Sequence, residues 1–150
     1  MNFNEFYDYL SNFNRVVIVG LGNLNRGDDG TGLYLLHKLQ EKPKLDSILF
    51  IEAERTPENH LEEIVANNPE LVIFVDVIRN SKQNTIQLLD ATSIEQKGFT
   101  THSYSITLIE QYLNNYNIKT RYLAIPVPEI GTGKHISPEL KARVRKFLTN

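Results

Sequence analysis

The 150-residue chain contains no cysteine. Disulfides, thiolate metal sites and thiol catalysis are thereby excluded, and any metal has to be held by histidine nitrogen or carboxylate oxygen. Positive charge is not in excess either. The 16 Lys+Arg against 18 Asp+Glu leave a formal charge of -2, which provides no basic field to hold a phosphate backbone, so nucleic acid is not an expected ligand. No apolar run approaches the roughly 18–20 residues that cross a bilayer. The opening ten residues, Met1 to Leu10, carry acids and no positive leader. A His-Glu-x-x-His helix and a Gly-x-Ser-x-Gly elbow are both missing, which removes the ordinary zinc-peptidase and serine-hydrolase patterns. The expectation is a soluble, unprocessed, cytoplasmic protein without a membrane partner, forming one domain over residues 1–150, since single cores run to about 100–200 residues.

What is present is a set of buried-strand signals. Arg15 to Gly20, Ser47 to Glu52 and Leu71 to Asp76 are apolar runs bounded by charged or turn residues, the pattern of parallel strands covered on both faces. Amphipathic stretches lie between them, Gly32 to Glu41 with Leu33, Leu36 and Leu39, and Pro57 to Asn67 with Leu61, Ile64 and Val65. This is a βαβαβ order. The polar turn Arg79 to Asn84 is too short for a crossover helix, so Thr85 to Asp90 is expected to be a strand running antiparallel. A helix over Ser103 to Tyr116, with Ile106, Ile109, Leu113 and Tyr116 on one face, precedes a strand at Arg121 to Ile125. A last helix starts at Ser137-Pro-Glu, a Ser cap followed by Pro in the first turn, and runs through Leu140, Val144 and Leu148. Asn4 to Phe13 reads as a short helix packing Phe6, Tyr9, Leu10 and Phe13 outside the sheet. The fold class expected is α/β: a three-layer α/β/α sandwich around a mostly parallel five-stranded sheet with one antiparallel strand.

Ligands of open α/β sheets gather beyond the carboxyl ends of the strands, and three places there can carry chemistry. The first is the loop Gly20-Leu-Gly-Asn-Leu-Asn-Arg-Gly-Asp-Asp-Gly-Thr-Gly32. A dinucleotide reading fails at its third glycine position, Asn25, and at Asp28-Asp29, which would repel a pyrophosphate; Glu52, placed as a ribose-binding acid, keeps that alternative open. One of the two aspartates is expected to cap the following helix. The second place is Asp76, at the end of its apolar run, where it either belongs to a site or caps a turn with Arg79. The third is His102 in Thr100-Thr-His-Ser103, ahead of a helix that Thr101 or Ser103 can cap. Two acids and a histidine converging from different strand ends make a plausible set of metal ligands that leaves positions open for water or substrate. His37, His60 and His135 read as structural or surface residues, with His60 expected to meet Glu63.

These residues resemble the hydrogenase maturation endopeptidases, which trim the carboxyl-terminal extension from the large subunit of nickel-iron hydrogenases. The resemblance rests on Val19-Gly-Leu-Gly-Asn23, Arg26-Gly-Asp-Asp-Gly-Thr-Gly32, Thr56-Pro-Glu-Asn59, Ile73-Phe-Val-Asp76, Thr101-His102 and the helix after Ile136-Ser-Pro-Glu139, in that order. It spans nearly all of the chain beyond the first dozen residues. It implies an endopeptidase acting on a nickel-loaded large-subunit precursor, with Asp29, Asp76 and His102 as both the metal-binding and the catalytic residues. The nickel is supplied by the substrate, no organic cofactor is needed, and a monomer is expected. The chain departs from the family at Ala124-Ile-Pro-Val-Pro-Glu-Ile-Gly131, where members often carry a Gly-Ile-Gln-Pro-like stretch, and in the segment before Arg15. A non-catalytic binding module or chaperone for the same subunit is the alternative on the same fold.

Overall fold

The computed structural model describes residues 1–99, 105–128 and 133–149. The chain runs α1 (Phe3–Leu10), β1 (Val16–Leu21), α2 (Thr31–Gln40), β2 (Leu49–Glu54), α3 (Leu61–Ala66), β3 (Leu71–Ile78), β4 (Gln87–Leu89), α4 (Ala91–Gln96), α5 (Ile106–Asn114), β5 (Lys119–Pro126) and α6 (Pro138–Thr149). One five-stranded sheet has the order β2-β1-β3-β5-β4. All of its pairings are parallel except β4 with β5. The expected three-layer α/β sandwich is therefore the architecture observed.

Side chains alternate across each strand, and this splits the interior into two cores. Val16 and Ile18 of β1 and Leu71, Ile73, Val75 and Val77 of β3 face α1, α2 and α6. Val17 and Val19, with Val72, Phe74 and Ile78, face α3, α4 and α5. β1 and β3 are buried at every position, as continuous apolar runs require.

Several expectations change. β2 is not covered on both faces: as an edge strand it alternates, with Ile51 and Ala53 buried and Leu49 exposed. β4 is antiparallel as expected but pairs with β5, which lies between β3 and β4. The helix expected from Ser103 starts at Ile106, where the Ser105 hydroxyl accepts from the Leu108 N–H at 3.2 Å, and Tyr116 lies beyond it, half exposed. Finally, α4 was not anticipated. Its signal was Asp90, whose side chain accepts the Ser93 N–H at 2.7 Å and starts the helix.

The first helix ends at Leu10, short of the expected Phe13, and opens with a capping box between Asn2 and Glu5. Its Phe6 ring lies 6.0 Å from that of Phe147 in α6. In α6, Leu140 and Val144 are buried as expected, while Phe147 rather than Leu148 completes the inward stripe. No helix among the described residues is long and apolar enough to cross a membrane.

Candidate active site

In this strand order the chain leaves β1 for β2 on one side and returns to β3 on the other. The carboxyl ends of β1 and β3 therefore bound a crevice at the point where the winding reverses, the place where open α/β sheets bind ligands. The loop from β1 into α2 carries Asp29, and β3 carries Asp76.

The loop is shaped by glycine. Gly22 has φ 132°, and a Cβ there would stand 2.3 Å from the Asp29 carbonyl oxygen, so only glycine lets the chain close on itself. That carbonyl accepts from the Asn23 N–H at 3.1 Å. The two adjacent aspartates then part company. Asp28 is buried, its Oδ1 accepting from the Ser137 N–H at 2.8 Å and its carbonyl from the Thr31 hydroxyl at 2.7 Å. Neither aspartate caps α2 through its side chain, because the residue at the cap is Gly30. Asp28 instead braces the loop against the start of α6, while the Asp29 carboxylate reaches Arg79.

Asp76 sits at the same level. The β1–β3 pairing ends with Gly20 opposite Val75, so Asp76 is the first residue of β3 beyond it. The strand does not end there, as expected, but continues to Ile78 beside β5. Gly32, three residues after Asp29, permits the contact: a Cβ on it would lie 2.2 Å from the Leu21 carbonyl oxygen, 2.9 Å from that of Val75 and 3.4 Å from the Asp76 Cα. The first turn of α2 thus rests directly on the ends of β1 and β3. Alternation gives Asp76 the parity of Phe74 and Ile78, the face covered by α4 and α5. Its carboxylate is buried and accepts from the Val77 N–H at 2.8 Å.

Arg79 is the residue whose place the sequence did not reveal. Expected as a turn partner of Asp76, it extends one guanidinium nitrogen to Asp29 Oδ1 and another to the Pro128 carbonyl. It thereby joins the first loop, the end of β3 and the segment after β5. The available signal was an arginine three positions after a strand-end acid, which does not name a partner.

His102 lies outside the described residues, as do the proposed caps Thr101 and Ser103. The Gly98 carbonyl accepts from the Asn80 amide at 3.5 Å, next to Arg79, and the Tyr122 hydroxyl donates to the Ile106 carbonyl at 3.4 Å. Burial, with the nearby carboxylates of Glu110, Asp76 and Glu95 adding to it, raises the Tyr122 pKa well above the usual phenol range. Tyr122 is thus a neutral hydrogen-bond donor here. Among the described residues no three acidic or histidine side chains converge on one point. Carboxylates such as those of Asp29 and Asp76 are oxygen donors of the kind that hold hard or borderline divalent ions.

Of the other histidines, His37 and His60 meet acids and His135 is exposed. His60 Nδ1 meets Glu63 at 3.6 Å, and His37 pairs with Glu52. The acid needed by a nucleotide reading is therefore engaged by α2. Beside the first loop a cleft of about 360 Å³ is lined by residues that include Asn23, Leu24, Glu54 and Arg55.

No protein-family model matches the chain. A candidate hydrogenase maturation protease of Methanocaldococcus jannaschii is 27% identical over 143 residues, which cover 89% of this chain and 84% of that one. The crystal structure of HycI, a NiFe hydrogenase maturation protease from Thermococcus kodakarensis, matches with a TM-score of 0.79 at 25% identity, covering 93% of this chain and 91% of that one. This chain resembles the hydrogenase maturation proteases in sequence and in fold. The same fold appears in the solution structure of the endopeptidase HycI from Escherichia coli, with a TM-score of 0.71 at 21% identity over 88% of this chain and 85% of that one. Hydrogenase maturation proteases are hydrolases.

Proposed function

We propose that this protein is a hydrogenase maturation endopeptidase. It removes the carboxyl-terminal extension of a nickel-iron hydrogenase large-subunit precursor after recognising the precursor's nickel through Asp29, Asp76 and His102. The observation that supports this most is the meeting of the Asp29 loop and Asp76 at the switch-point crevice, with Gly32 holding the two elements in contact. Nickel arrives as part of the substrate. Two carboxylates and an imidazole without thiolate hold a borderline ion less firmly than a closed four-ligand cage does. Weak retention suits an enzyme that inspects a metal it must not remove.

Hydrolysis adds water across one peptide bond. One proton leaves the attacking water, the carbon–nitrogen bond breaks, and a proton is delivered to the departing amine. Asp29 or Asp76 is suited to take the first proton as general base, and water polarised by the nickel is the other route to the same nucleophile. The protein works in the cytoplasm as a monomer and needs no organic cofactor.

The test uses chelator-treated protein with nickel-loaded and nickel-free precursor, followed by mass measurement. The expected result is loss of a carboxyl-terminal peptide from the loaded precursor with no metal added back, and no cleavage of the nickel-free form. Activity lost on chelation and restored by zinc would identify a metallopeptidase with its own ion. Tight binding without a mass change would identify the non-catalytic module.

A further inference from the structure

Asp29 is not an open carboxylate awaiting a metal. Its Oδ1 is held by Arg79, and the two side chains are only 19% and 20% exposed. A guanidinium stays charged at every working pH, so this cation cannot leave by losing a proton. It can leave only by being displaced. Two cations cannot share one partly buried carboxylate without strong repulsion, because Coulomb energies at a few ångströms grow as water is excluded. The second arm of the fork is anchored on the Pro128 carbonyl, which gives the guanidinium a neutral partner to keep while it releases the acid.

We propose that Arg79 is a built-in counter-cation that neutralises Asp29 in the resting protein and is exchanged for the precursor's nickel on docking. The inference rests on the assignment of Asp29 as a nickel ligand. Its consequence is selectivity. A free ion has to evict Arg79 unaided, whereas nickel fixed in a docked precursor is presented with the binding energy of the whole protein surface behind it. After cleavage, Arg79 recovers Asp29 and the product leaves with its metal. A bridge that served only to tie the loop to β3 would weaken folding when cut but would not compete with a cation.

The experiment is a calorimetric titration of the full chain with nickel(II) chloride, comparing the unmodified protein with Arg79→Gln, Asp29→Asn and the double variant. Arg79→Gln is expected to bind nickel at least ten-fold more tightly, and this gain is expected to vanish when Asp29 is Asn. Independently of any variant's folding, the Arg79 side-chain N–H resonance of the unmodified protein is expected to shift, and to exchange faster with water, as cadmium(II) is bound. Equal or weaker nickel binding by a folded Arg79→Gln overturns the proposal, as does an Arg79 resonance that ignores bound cadmium. If no variant binds either ion, the failure lies with the Asp29, Asp76 and His102 ligand set, and the exchange falls with it.

Discussion

Asp28 and Asp29 are neighbours with the same chemistry and opposite surroundings. The Asp28 carboxylate is buried against a backbone N–H of Ser137, so truncation leaves that donor without its acceptor. Asp28→Ala is expected to cost about 1–3 kcal/mol, the penalty for a buried unsatisfied polar group, read as a lower urea midpoint. Asp29 meets a side chain at the partly exposed edge of the crevice. Asp29→Asn is expected to keep a near-normal midpoint and to lose processing of nickel-loaded precursor. The reverse pattern would exchange the two roles. From residue spacing alone either acid could have been the cap or the ligand, and only the family resemblance pointed to Asp29 as the ligand and left Asp28 to brace the loop. The choice depends on a contact 109 residues away, between Asp28 and Ser137.

Among the elements, α4 and α1 show two ways in which a short helix is held. α4 spans six residues and depends on its cap. The Ser93 backbone N–H, followed by the Ser93 side chain, holds the Asp90 carboxyl below its ordinary pKa. Because the folded state favours ionised Asp90, its contribution is present above the unfolded pKa near 3.9 and is lost as pH falls through the depressed folded value. Asp90→Ala is expected to cost about 0.5–2 kcal/mol at neutral pH, with the difference from the unmodified protein shrinking in strong acid, as followed by urea unfolding across pH. α1 instead survives by packing. Phe6 is fully buried against Phe147 and its neighbours, so Phe6→Ala is expected to cost about 3–5 kcal/mol, measured by thermal or urea denaturation. The segment before Arg15 is thus part of the core through Phe3, Phe6 and Leu10.

For the whole molecule, the two apolar layers on either face of the sheet include residues from every strand. Burial at this scale does not need an ion to organise it, unlike small domains whose folding energy is their metal-binding energy. Chelator treatment is therefore expected to leave the melting temperature unchanged. A fall would mean that a resident metal holds the fold. The crevice is likewise a property of the whole sheet, since it follows from the order β2-β1-β3 and not from any single loop.

The sequence by itself determined the α/β class, the two strands buried on both faces and the level at which Asp76 meets the crevice. Continuous apolar runs and helical spacing are local signals, readable within a dozen residues. Short-range contacts such as His60 with Glu63 were legible for the same reason. The tertiary structure decided the rest. It placed β5 between β3 and β4, left β2 at an edge with one face exposed, and sent Arg79 across 50 residues of chain to Asp29. Strand order and side-chain partnership across such separations depend on how layers pack and on which buried polar groups must find partners. Neither is written in the spacing of neighbouring residues.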